Sequence, residues 1–221
     1  MCGRYSWSQK KSFPKSKNFI IPPDISSRAS FNRAPGQKHP IILHRDKKTI
    51  YESALWGLNL NTKSNASKIK PINARIETIK EKVAFQDAFM RRRCLVPADG
   101  YFEWQKNENK KEPYYHYIAD NSSFFMAGIW NLINNSVSFC ILTHSATSNI
   151  LHIHHRMPVI LKTNDWQSWL DANCDLNTLL SNYQKPSIQI KCHAVSSRVN
   201  RVTENDEKLI HKTAEIQSTF W

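Results

Sequence analysis

Glycine is scarce in this chain. The 221 residues hold only Gly3, Gly36, Gly57, Gly100 and Gly128, and none lies within ten residues of another. That spacing cannot write a G-x-G-x-x-G dinucleotide loop or a P-loop, nor a G-x-S-x-G nucleophile elbow. Nucleotide-driven chemistry of the common kinds is therefore excluded. Cysteine is equally sparse: Cys2, Cys94, Cys140, Cys174 and Cys192 are scattered and odd in number. With no C-x-x-C pair, neither a zinc ribbon nor a thioredoxin-like motif is available. Cys94 and Cys140 sit inside apolar runs and read as buried, reduced thiols. No apolar stretch is long enough to span a membrane, and the richest window, residues 124–133, is broken by Asn131. The start, MCGRYSWSQKK, has no signal-peptide core, which predicts a cytoplasmic protein.

What is present suits one domain over residues 1–221, with 40% hydrophobic and 22% charged residues. The net charge of +13 is concentrated in the first hundred residues, and the remainder sums to zero. Such segregation favours a polyanionic partner, because each phosphate neutralised releases condensed counterions. Arg4, Arg33, Arg75 and Arg91 to Arg93 are the expected phosphate contacts, since a guanidinium fork matches phosphate geometry. Lys10-Lys11 and Lys47-Lys48 read as solvated surface.

Residues 40–45 and 48–52, joined at Asp46-Lys47, predict a β-hairpin, with a third strand at 54–58. Residues 59–70 are polar and predict a loop. Thr78 and Glu81 form a capping-box pattern for a helix running to about Met90. Strands are predicted at 94–98, 101–105, 114–118, 124–130, 137–143 and 188–195. Short helices follow from 165–170, capped by Thr163 or Asn164, and near 176–183. Many short strands and few helices predict an α+β domain. It would be built on a curved, mostly antiparallel β-sheet or open barrel with a few flanking helices.

The chemistry starts at Cys2. Removal of Met1 would leave an N-terminal cysteine whose α-amine and thiol sit on adjacent carbons. Such an aminothiol condenses with an aldehyde to an imine, and the thiol then closes a thiazolidine ring. The amine titrates near ~8 and the thiol near ~8.5, so both nucleophiles are accessible around neutrality. Glu103, between Phe102 and Trp104, is a carboxylate whose pKa partial burial would raise; strand alternation allows it to face inward or outward. His152, His154 and His155 offer an alternative, a metal site, though no nearby Asp, Glu or Cys completes a shell.

Six blocks of the sequence resemble the SOS response-associated peptidase (SRAP) family, the abasic-site shielding proteins. They are MCGRY at the start, NRAPG (32–36) with LWG (55–57), INARIET (72–78), RCLVPADGYFEW (93–104), IHHRMP (153–158) and VSSRVN (195–200). They occur in the family's order and cover essentially the whole chain. The resemblance implies a protein of the DNA damage response that binds single-stranded DNA, or single-strand/duplex junctions. It would trap abasic sites as a covalent thiazolidine crosslink through Cys2. Asn73 would orient the sugar or the cysteine, Glu103 would shuttle protons, and His154 would act as general acid/base near the sugar oxygen. Arg4, Asn32, Arg75 and Arg156 would contact phosphate and sugar. Trp56 and Trp104 would stack on bases or else belong to the core. The "peptidase" activity would reduce to exposing Cys2.

No cofactor and no metal are implied, and a monomer is expected, nucleoid-associated in a bacterium. Two departures stand out: His155 occupies a position that is usually acidic, and residues 59–70 lack the aromatic pair that follows W-G. Two rival functions remain at this point. One is a non-covalent basic single-stranded DNA-binding module; the other is a metal-dependent nuclease or peptidase built on the histidines.

Overall fold

The computed structural model describes residues 2–17, 19–21, 29–60, 70–108, 110–181, 183 and 188–213. The strands in chain order begin with β1 (Arg4–Trp7), β2 (Ser30–Arg33), β3 (Lys38–Arg45), β4 (Lys48–Trp56) and β5 (Asn73–Arg75). After α1 (Val83–Arg91) come β6 (Arg93–Ala98), β7 (Gly100–Asn107), β8 (Lys110–Ile118), β9 (Phe124–Ile133) and β10 (Ser136–Ser145). The chain continues through β11 (Arg156–Pro158), α2 (Trp166–Leu170), α3 (Leu176–Ser181) and β12 (Ile190–Ala194).

Two sheets are formed. In the first, β10, β4, β3, β6 and β9 pair in that order, and β9 pairs back to β10, closing a barrel. β5 and β11 extend it along β10. Pairing is antiparallel except where β4 and β5 run parallel to β10. The second sheet is antiparallel, in the order β12-β8-β7-β1-β2. One buried cluster joins the two, with Cys2, Tyr5, Trp7 and Tyr101 from the smaller sheet against Ile41, Trp56, Val96 and Phe139 of the barrel. Each large side chain buried there contributes on the order of 2 kcal/mol. A second cluster, around Phe125, Trp166 and Trp169, fixes α2 on the far side of the barrel. A third lies around Phe102, Tyr115, Val199 and Leu209 and holds residues 195–210 against the smaller sheet.

The predicted hairpin is β3–β4, and Asp46 and Lys47 sit at φ 52° and 63°, as a twisted two-residue turn requires. Residues 54–58 are not a third strand. β4 itself runs on to Trp56, and Gly57, at φ 137°, turns the chain out of it. Thr78 and Glu81 do not open the helix. Residues 76–78 form a 3-10 turn, the Glu81 and Lys82 amides donate to the Thr78 carbonyl, and α1 starts at Val83 without a side-chain cap. Likewise Thr163 and Asn164 lie in a 3-10 turn, and no side chain caps α2. Most of the predicted 59–70 loop, residues 61–69, lies outside the described residues.

Two features set β7 beside β1. A Cβ on Gly100 would fall 2.3 Å from the Tyr115 ring, so only glycine admits the contact that brings the Tyr115 hydroxyl to Ser6 Oγ at 2.8 Å. Buried Asp99 accepts hydrogen bonds from the Ser8 amide, the Ser8 hydroxyl and the Ser123 hydroxyl, each at 2.6 Å. Among the described residues, no helix is long and apolar enough to cross a membrane.

Candidate functional site

β1 pairs antiparallel with β7, with Arg4 opposite Phe102 and Tyr5 opposite Tyr101. The chain before Arg4 therefore runs alongside Glu103. Cys2 is wholly buried, its Sγ 3.7 Å from the Arg4 carbonyl, and the Asn73 amide donates to the Cys2 carbonyl at 2.9 Å. Asn73 arrives from β5, which β10 presents through the pair Ile141–Asn73. The cysteine is thus held between the two sheets. Burial pushes its thiol well above the ordinary range, and the charge of Glu103 adds to the effect. A thiol so placed stays protonated near neutrality and needs a base to become a nucleophile.

Glu103 faces inward, 3% exposed. Burial raises its carboxyl to about 7, against the pull of the chain's positive α-amino group. Its protonation therefore changes close to neutral pH, which suits a group that both gives and takes a proton. His154 Nδ1 stands 3.9 Å from Glu103 Oε1, too far for a direct hydrogen bond. Nδ1 lies 2.9 Å from the Arg156 amide and 3.2 Å from the Arg156 carbonyl, so the backbone of Arg156 fixes the ring through this nitrogen in either tautomer. Burial lowers the pKa of His154, and the α-amino group and His155 lower it further. The His155 ring stacks on that of His154, with centroids 4.5 Å apart. His155 thus biases His154 towards its neutral form. His155→Asp is expected to raise the His154 pKa, seen as an upward shift of its imidazole titration by NMR; an unchanged titration would contradict this coupling.

Glu103 and His154 line a cleft of about 770 Å³ together with Trp104 and Asn200. Trp104 is half-buried there, and its indole N–H donates to Asn200 Oδ1 at 2.8 Å. Arg75, two residues after Asn73, is exposed at the end of β5. Cys2, Asn73, Glu103, His154 and Trp104 therefore converge on the junction of the two sheets.

Other expected DNA contacts are placed differently. Trp56 is fully buried in the core, with its indole N–H on the Ile72 carbonyl, and offers no face to a base. Asn32 is buried too, and its amide donates to the carbonyls of Val199, Arg201 and Glu204. Arg4 donates to Asn32 Oδ1 at 2.8 Å and to the carbonyls of Val199 and Asn200, pinning residues 199–204 beside the cleft. Arg156 is buried and grips both Glu77 oxygens, at 2.7 and 2.8 Å, and the Thr143 carbonyl. Burial alone would raise the Glu77 carboxyl, but the Arg156 bonds outweigh it and hold the carboxyl low. This clamp ties INARIET to IHHRMP; sequence reasoning missed it, although both residues stand in the blocks.

Two of the expected phosphate arginines are corrected outright. Arg33 is buried over the Trp7 ring and bonded to His39. Arg93 is buried with its guanidinium on the carbonyls of Trp169, Phe89, Met90 and Asp171. Both guanidinia serve interior carbonyls and rings, because an unpaired buried charge would be too costly. Arg92 pairs with Asp87 and Asn131. Among the described residues, no three His, Cys, Asp or Glu side chains are arranged to hold a metal ion.

The sequence profile described as SOS response associated peptidase (SRAP) matches residues 1–202. The abasic site processing protein YedK of Escherichia coli is 28% identical over 95% of this chain and 99% of its own length. The abasic site processing protein YoqW of Bacillus subtilis is 30% identical, again over 95% and 99%. A crystal structure of a protein from Bacteroides thetaiotaomicron superposes with a TM-score of 0.78 and 25% identity. It covers 96% of this chain and 100% of that one.

Proposed function

The chain belongs to the SOS response associated peptidase family, and on that basis we propose that it processes abasic sites in single-stranded DNA by covalent capture through Cys2. The observation that carries this reading is the convergence at Cys2. A buried thiol, a carboxyl raised by burial to about 7 and an imidazole fixed by the Arg156 backbone surround the start of the chain.

Loss of Met1 frees the Cys2 α-amine. Ring opening moves one proton from the C1′ hydroxyl to the ring oxygen, with the His154 imidazole taking the first and returning one as the C1′–O bond breaks, and the opened sugar presents an aldehyde at C1′. The amine attacks C1′ to give a carbinolamine, and the protonated Glu103 carboxyl delivers a proton to the departing hydroxyl, releasing one water and leaving a protonated imine (iminium). Glu103, now a carboxylate, takes the thiol proton as Sγ bonds to C1′ and the C=N π electrons return to nitrogen, so Glu103 ends protonated as it began. The product is a thiazolidine, and the reverse sequence releases the strand. The Asn73 bond to the Cys2 carbonyl orients the aminothiol, and exposed Arg75 is placed to meet a strand phosphate.

The test is incubation with an abasic single-stranded oligonucleotide followed by denaturing electrophoresis. A slower band that survives denaturation without reductant, absent with intact oligonucleotide, is expected. Salt-sensitive binding with no surviving band would instead identify a non-covalent module.

A further inference from the structure

One cationic feature of the cleft takes no part in the capture chemistry. Lys106 on β7 lies directly opposite Lys111 on β8, and both line the cleft that holds Glu103 and His154. Like charges in direct cross-strand register destabilise a hairpin. The neighbouring pairs avoid the conflict: Gln105 faces Glu112, and Asn107 faces Lys110. Glu112 alternates to the opposite side of the strand from Lys111, where the Tyr114 hydroxyl donates to it. Both lysines are exposed, and neither has a hydrogen bond or ion pair with a described residue. The Lys10 and Arg45 side chains, by contrast, are each paired with a carboxylate. On the opposite rim, Leu151 is 54% exposed. Among the described cleft-lining residues, the charged ones are these lysines and Glu103, with His152, His154 and His155 the other titratable groups.

We propose that the tip of the β7–β8 hairpin is a phosphate clamp, in which Lys106 and Lys111 together hold one backbone phosphodiester of the strand next to the captured nucleotide. An anion between the two ammonium groups turns the unfavourable register into a favourable one, and the seat lies on the Trp104 face of the hairpin, on the far side of β7 from Glu103 but lining the same cleft. It sits in the half of the sequence that carries no net charge, so composition conceals it. This inference rests on the capture reading above.

The test measures anisotropy of a fluorescent single-stranded oligonucleotide across a salt series, for the wild type, the single variants Lys106→Gln and Lys111→Gln, and the double variant. The double variant is expected to bind roughly tenfold more weakly at low salt, with a shallower salt dependence by about 0.7 for the one phosphate lost. Its melting temperature in the absence of DNA should not fall, because a repulsion has been removed. A set of oligonucleotides, each with one phosphodiester replaced by a neutral methylphosphonate, supplies the second arm. One position should weaken wild-type binding and have no further effect on the double variant. Unchanged affinity and slope in the double variant, or additive losses at every methylphosphonate position, would overturn the clamp. Wild-type adduct formation on an abasic strand is followed in parallel. If adducts form while the lysine variants bind normally, the clamp fails and the capture function stands. If no adduct forms while the clamp results hold, the capture function fails and the hairpin remains a phosphate site.

Discussion

A variant whose amino terminus stays extended by one uncleaved residue ahead of Cys2 is expected to form no stable adduct, a loss on the order of 1000-fold or more. The reason is the chemistry of the peptide bond: its nitrogen lone pair is delocalised into the carbonyl and cannot form an imine. The same variant should still bind intact single-stranded DNA, because the extension changes no charged side chain. Cys2→Ser tests the second half of the aminothiol. Its amine survives, so an imine that borohydride traps is expected, but a hydroxyl closes only a less stable oxazolidine. Without reductant, that adduct should disappear on denaturation. Wild-type rates from the extended chain, or an unreduced Cys2→Ser crosslink as durable as the native one, would contradict thiazolidine closure.

Glu103→Gln is expected to move activity and stability in opposite directions. Adduct formation should slow by about 100-fold to 10,000-fold, the range for loss of a positioned acid–base group. The inflection near pH 7 in the wild-type rate, set by a carboxyl raised to about 7, should vanish with it. Stability follows from linkage. Burial raises this carboxyl above its unfolded value, so the folded state holds the proton more tightly. The stability this confers is complete below the unfolded pKa and is lost as pH climbs through about 7. Glutamine keeps the shape and carries no charge, so the variant should be more stable than the wild type at pH 8, by on the order of 3 kcal/mol. The gain should shrink towards zero near pH 4.5. Thermal unfolding of both proteins at the two pH values checks the sign. A variant less stable at pH 8 would make Glu103 a structural ion partner and not a group held ready for proton transfer.

The parts of the fold that sequence revealed are those with local signals. The β3–β4 hairpin announced itself through two apolar runs around Asp46-Lys47, and long β9 and β10 through their β-branched and aromatic residues. The strands that build the site carried no such signal. β1, β5 and β11 are three or four residues long, too short for periodicity, and only their register against β7 and β10 defines them. Closure of the barrel by β9–β10 pairing is likewise a property of the assembled sheet. Cys2, Asn73, Glu103 and His154 were legible as members of recurring blocks, and the structure gathers them around the junction of the sheets. Charge was the poorest guide. A guanidinium counts the same in a composition whether it faces solvent or, as in Arg93, satisfies carbonyls at the end of α1 and beyond α2. Arg4, Asn32 and Arg156 each make contacts within the protein, through partners up to 196 residues distant in sequence.

The central claim is that the aminothiol of Cys2 becomes the linkage to DNA. Mass spectrometry of the wild-type adduct, formed without reductant and then digested with protease and nuclease, tests it most directly. The account predicts a chain that has lost Met1, a total mass equal to protein plus abasic oligonucleotide less one water, and the nucleotide remnant on the peptide that begins with Cys2. A remnant on a lysine, or an adduct in which Met1 is retained, would contradict it.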